Sequence, residues 1–259
     1  MPQKNGILSA NQVSIKEIPA SMSNSLKRMG MRILDCTVIP AVTYVLDQAL
    51  SSRDKSIYNM AHWKAMESSL LYIESNMPTV CMLENRTQLL DYAVKRVSVK
   101  GTCAEFGVLE GESINYLARK LPEIYGFDSF EGLKEDWKGI FAKGHFDLKG
   151  KMPKVAKNVH LIKGWFHETV PEFLKQHPEP FAFAHIDSDT FEAAEIVLNL
   201  IGPQFVPGTV LVFDEFFGYR RWELGEFKAW NDYVERTGTE FEYLALTSQR
   251  VAIQIRHIP

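Results

Sequence analysis

Several features that would fix a function at once are missing from this chain. Among 259 residues there are three cysteines, Cys36, Cys81 and Cys103. Their spacing fits no metal knuckle and an odd number cannot all pair, so a disulfide scaffold is excluded and a reducing compartment, the cytoplasm, is expected. Cys103 lies in an apolar stretch and reads as a small core residue. A surplus of one charge is also missing. The 29 basic residues against 32 acidic ones leave a net charge of −3, which provides no field for holding nucleic acid. No apolar run is long enough to cross a membrane; the stretch 36–46 is far too short. Polar residues break every apolar run in 1–30, so no secretory signal is expected there. There are no internal repeats and no low-complexity tracts. Finally, the dinucleotide fingerprint G-x-G-x-x-G is absent, since the next glycine after Gly107 is Gly111.

Apolar residues, at 46%, are ample for a core in a chain of this length. Residues 1–20 are mixed and polar, an arm or irregular lead. The stretches 22–50 (with a break at Pro40), 56–75 and 83–97 carry apolar residues at helical spacing. On 56–75, Ile57, Met60, Ala61, Lys64, Leu70, Leu71 and Tyr72 are expected to fall, unevenly, on one side. Residues 1–99 are therefore expected to form a helical extension or cap, and 100–259 a second region of different character. From Gly101 onward, short β-rich runs alternate with helical stretches. Strands are expected at 102–106, 123–127, 159–162, 181–186 and 209–213. Helices are expected at 113–120, 167–176, 191–200 and 224–237. Such alternation implies an α/β fold with a mainly parallel sheet covered on both faces. Two final strands, near 241–245 and 251–255, have too little between them for a crossover and must pair as a hairpin. The connection 129–158 is too long for a turn and is rich in aromatics, so it reads as a lid or substrate wall.

In an open α/β sheet, ligands bind at the carboxyl ends of the strands. Those ends carry Glu105, Gly107, Asp128, Gly164, Asp187, Asp189, Asp214 and Glu215. A glycine turn after the first strand and an acid after the second suit a nucleoside, with the acid reaching the ribose hydroxyls. Glu105 would repel a pyrophosphate, so a neutral or cationic nucleoside such as S-adenosylmethionine (SAM) fits better. Acids crowded at one edge require protons or a cation. Oxygen ligands of this kind suit magnesium, which would lower the pKa of a hydroxyl, leaving a carboxylate or histidine to take its proton. Each piece also has a purely structural reading. Asp189 could cap the following helix, Glu105 could cap the helix after its strand, Asp128 could cap a turn, and 214–215 could be an exposed turn. His145, His167 and His185 lie near the expected crevice, with His185 inside a strand.

Four blocks in this order resemble the macrocin-type O-methyltransferases: 125–133 (YGFDSFEGL), 161–169 (LIKGWFHET), 185–192 (HIDSDTFE) and 207–215 (PGTVLVFDE). The resemblance covers about 84–256. It implies a class I methyltransferase sheet of seven strands, the last antiparallel. It implies that Glu105, Gly107 and Gly111 line the SAM site, that Asp128 holds the ribose, and that Ser129 and Gly164-Trp165-Phe166 border the adenine. Asp187, Asp214 and Glu215 would take the family's metal positions, with Asp189 as general base or sharing the metal, and Asp187 and His185 as further catalytic candidates. The acceptor would be a hydroxyl of a sugar, glycoside or related small molecule, and a homodimer is plausible for such an enzyme. Two positions depart from the family pattern: Glu215 stands where a second aspartate is common, and Leu109 where glycine is common. A nicotinamide-dependent oxidoreductase would need the missing glycine fingerprint. A non-catalytic scaffold on the same fold would have no need of the acids.

Overall fold

A computed structural model describes residues 56–137 and 140–259. The lead at 1–20, the stretch 22–50 with Pro40, and Cys36 lie outside the described residues. Met60–Pro259 form one compact unit. In chain order its elements are α1 (Ile57–Asn76), β1 (Cys81–Met82), α2 (Arg86–Val94), β2 (Thr102–Phe106), α3 (Glu112–Leu117), β3 (Ile124–Asp128), β4 (Val159–Lys163), α4 (Phe166–Gln176), β5 (Phe181–Ile186), α5 (Phe191–Ile201), β6 (Val210–Phe213), α6 (Glu226–Thr237), β7 (Glu240–Leu246) and β8 (Val251–His257).

The central strands are near-continuous apolar runs because both faces of the sheet are covered. Along β6, Leu211 and Phe213 face one core while Val210 and Val212 face the other. The first core takes the buried sides of α1, α4, α5 and α6, and the second takes those of α2 and α3. Cys103 is buried in the second core, as its surroundings in the sequence suggested.

The strand order is β1-β7-β8-β6-β5-β2-β3-β4. Every strand pair is parallel except β6–β8 and β7–β8, so β8 alone is reversed. Seven of these strands have the expected arrangement with the last one antiparallel. The eighth is β1, a two-residue addition at the β7 edge, inside the segment expected to be purely helical. With β1 in the sheet and α2 under it, the compact unit begins at Met60, well before residue 100.

The apolar face expected on α1 is corrected by its packing. Ala65, Ser69 and Ile73 are the buried residues, whereas Met60, Leu70 and Leu71 are exposed. A stripe at i, i+4, i+8 faces the first core. Ser69 fits within it because its hydroxyl donates to Ala65 O at 2.7 Å and accepts from Gly218 N at 2.8 Å. Tyr72 adds a hydroxyl contact of 2.7 Å with Tyr243.

Candidate active site

A cavity of about 460 Å³ opens where β2, β3, β5 and β6 end. This is a normal size for a small-molecule site. Its first wall is the turn after β2. Gly107 has φ +95, and a Cβ there would meet Asp187 O at 1.7 Å, so the turn and the β5 loop are in backbone contact. Leu109 adopts φ +47, the left-handed conformation that a glycine at this position would take without strain.

Asp128 ends β3 and lines the cavity. Its Oδ2 accepts from Val108 N and Leu109 N, both at 2.8 Å, and its Oδ1 accepts from Phe130 N at 2.7 Å. The capping role considered for Asp128 is therefore present. A carboxylate has about four acceptor positions, so one remains for a ribose hydroxyl. Ser129, Gly164, Trp165 and Phe166 line the cavity as expected, and His167 joins them. Lys134 Nζ sits 5.4 Å from the Trp165 ring. The connection 129–158 is folded back on itself through the bridge Glu131–Asp147. It contributes Trp137, Phe141 and Phe146 to the wall and is tied to the β5 loop by the Thr190 hydroxyl, which donates to Glu135 at 2.6 Å. His145 stacks on Phe141 and does not line the cavity.

Three expected site residues sit elsewhere. Gly111 is the left-handed residue that starts α3 and does not line the cavity. Glu105 and His185 are fully buried behind it. The β2–β5 register places them opposite one another. Glu105 accepts from the Ser113 hydroxyl at 2.8 Å, and His185 Nδ1 lies 3.1 Å from Glu105 Oε2. The other imidazole nitrogen lies 3.3 Å from Asp214 Oδ1. Burial alone would lower the His185 pKa, but hydrogen bonds and charge from Asp214 and Glu105 outweigh it and push the pKa up to about 9. An imidazolium donating at both nitrogens fits between two carboxylates. It has no lone pair to offer as a base.

The acids of the strand edge fall into two groups. Asp214 is surrounded by cations. Arg250 donates to both its oxygens, at 2.7 and 2.8 Å, and Arg86 and His185 complete the shell. Burial would raise Asp214, yet the His185 and Arg250 contacts hold it well below the usual carboxylate range. Asp187, Asp189 and Glu215 have much less compensation. Burial, then the charge of Asp214, pushes Asp187 up to about 7, even though Arg86 pairs with it. Asp189 and Glu215 are also raised well above normal, first by burial and then by neighbouring carboxylates. Asp189 has φ +64, a strained conformation for an aspartate, and it is not the helix cap. That role belongs to Thr190, whose hydroxyl accepts from Ala193 N.

Oxygens of Asp187, Asp189 and Glu215 lie within 4.8 Å of one another. Glu215 Oε2 is buried without a hydrogen-bond partner. This set fits a divalent cation. The set expected from the resemblance included Asp214, to both of whose oxygens Arg250 donates. Asp214 can also be grouped with His185 and Asp187, but there the imidazole is occupied between two carboxylates.

Sequence reasoning missed Arg86, Arg250 and Glu226. Arg86 is the first residue of α2, where the helix dipole disfavours a cation, and that mismatch was its signal. Arg250 directly precedes Val251, which pairs with Phe213, so the hairpin register brings it to Asp214.

The family model described as "Methyltransferase domain" matches residues 104–216. No curated protein matches the sequence. Among solved structures, the O-methyltransferase NovP superposes with TM-score 0.52 at 17% identity, covering 66% of this chain and 78% of that one. CalS11, a calicheamicin methyltransferase, superposes with TM-score 0.51 at 21% identity, covering 90% and 93%. No described helix is long and apolar enough to cross a membrane. Residues 104–216 are thus similar to a methyltransferase domain, and the sheet that carries them has the class I methyltransferase arrangement.

Proposed function

We propose that the protein is a SAM-dependent O-methyltransferase acting on a hydroxyl of a sugar, glycoside or related small molecule, assisted by a divalent cation such as magnesium. The observation that carries this reading is a single cavity lined by the Gly107 turn, Asp128, and the paired acid loops at 187–189 and 214–215. In the proposal, the backbone at Gly107 and the free acceptor position of Asp128 hold the nucleoside, with Ser129, Trp165 and Phe166 bordering its base. SAM, when bound, supplies a methyl group on a cationic sulfur. A divalent cation held by Asp187, Asp189 and Glu215 would lower the pKa of an acceptor hydroxyl and orient it. Each carboxylate has two oxygens, so Asp189 keeps one for the hydroxyl proton. Burial and neighbouring carboxylates raise its pKa, which strengthens its hold on that proton.

Trp137, Phe141 and Phe146 line the cavity with mutually tilted aromatic rings, apolar surface of the kind that packs on a sugar ring. The two superposed relatives are an O-methyltransferase and a calicheamicin methyltransferase, which supports oxygen and a natural-product acceptor. In this reading the segment before residue 100 bears on the acceptor and on pairing of a homodimer, which sedimentation would test.

The functional experiment is incubation with SAM and a panel of glycosides, read by mass spectrometry. A gain of one methyl group, suppressed by chelator and restored by magnesium, is expected. Turnover unchanged after chelation would remove the metal and leave Asp189 acting alone. SAM binding with no transfer to any acceptor would favour a scaffold.

A further inference from the structure

Glu226 is the first residue of α6 and is fully buried, yet it lies outside the matched domain and does not line the cavity. Its Oε1 accepts from Ser188 N at 3.0 Å and from the Ser188 hydroxyl at 3.4 Å. Its Oε2 accepts from Glu215 N at 3.1 Å. One carboxylate thus joins two loops. The first carries Asp187 and Asp189 on either side of Ser188. The second carries Glu215.

Charge alone argues against an acid here. Asp187 and Asp214 repel a carboxylate at this position, and burial disfavours it further. What a carboxylate uniquely offers is an acceptor at each end. Glutamine has one acceptor and one donor, so one of the two main-chain N–H groups would face an NH₂. Aspartate has two acceptors but is a methylene shorter. The helix N-terminus partly offsets the repulsion.

We propose that Glu226 is a positioning residue that clamps the 187–189 and 214–215 loops in the register needed for methyl transfer. It touches neither substrate nor cofactor and acts through the acids it aligns. The proposal rests on the methyltransferase reading above, but its physical core, the clamp, can be measured without turnover.

The test compares wild type with Glu226→Gln and Glu226→Ala. Amide hydrogen exchange is followed at Ser188 and Glu215. Asp187 N and Asp214 N serve as controls, since each donates to a main-chain carbonyl, of Phe106 and Ile186 respectively, at 2.9 Å. Exchange should accelerate on the order of tenfold at both clamped amides in Glu226→Ala, and at one or both in Glu226→Gln, with the controls unchanged. In both variants kcat should fall by about tenfold to 100-fold while SAM affinity stays within about twofold of wild type. Unchanged exchange at Ser188 and Glu215, or equal acceleration at the controls, overturns the clamp. Faster exchange with an unaltered kcat overturns the positioning role. If wild type transfers no methyl group, the methyltransferase reading fails and the exchange data alone decide the clamp.

Discussion

Gly107 carries the tightest steric constraint at the site. Any side chain there must push the Asp187 carbonyl away, and the displacement reaches the acids on that loop. Gly107→Ala is expected to weaken SAM binding by more than about tenfold, measured by calorimetry, in whatever fraction folds. Asp189 makes the opposite kind of prediction, since its side chain supports no fold contact that the helix cap does not already provide. Asp189→Asn should lower kcat by about 100-fold to 10,000-fold while SAM affinity and melting temperature remain close to wild type. A smaller loss would assign the proton to another group.

Among the elements, α6 carries one large, fully buried aromatic anchor. Trp230 is fully buried, with ring centroids 5.6 Å from Phe213 and 5.0 Å from Phe241. Its indole N–H has no partner. Trp230→Ala should cost about 3–5 kcal/mol in urea denaturation. Trp230→Phe should cost much less, because it keeps an aromatic ring and removes the unpaired donor. The elements themselves were legible in the sequence where burial on both sheet faces forces apolar runs: β2 and β5 occupy the residues expected, 102–106 and 181–186. Register was not legible. Only the pairing of β2 with β5 sets Glu105 against His185 and takes both out of the cavity. Only the β6–β8 pairing brings Arg250 to Asp214. The face of α1 was misread for a related reason: its buried stripe is narrow and contains a serine, which hydropathy places on the wrong side. The aspartates at 128, 187 and 189 were easier, because strand ends point to one edge whatever the register.

For the molecule as a whole, the strand-edge charges set a pH dependence. His185 binds its proton more tightly folded than unfolded, so its contribution to stability is complete below pH ~6.5 and is lost as pH rises through about 9. Asp187, pushed up to about 7, acts in the same direction, since the folded state favours its protonated form. Chelator-treated protein should therefore lose several degrees of melting temperature between pH ~6 and pH ~9.5 in a calorimetric scan. His185→Gln should flatten that slope. A rise in melting temperature over this range would contradict the charge assignment.

The reversed strand β8 has a consequence for how the protein comes into being. Arg250, which donates to both oxygens of Asp214, lies at the start of β8 and so follows both acidic loops in the chain. A ribosome releasing this polypeptide exposes the acidic loops before Arg250 has been made. Until then Asp214 has only Arg86 and His185 as its cations, so the acidic edge is less fully neutralised in the nascent molecule than in the folded one.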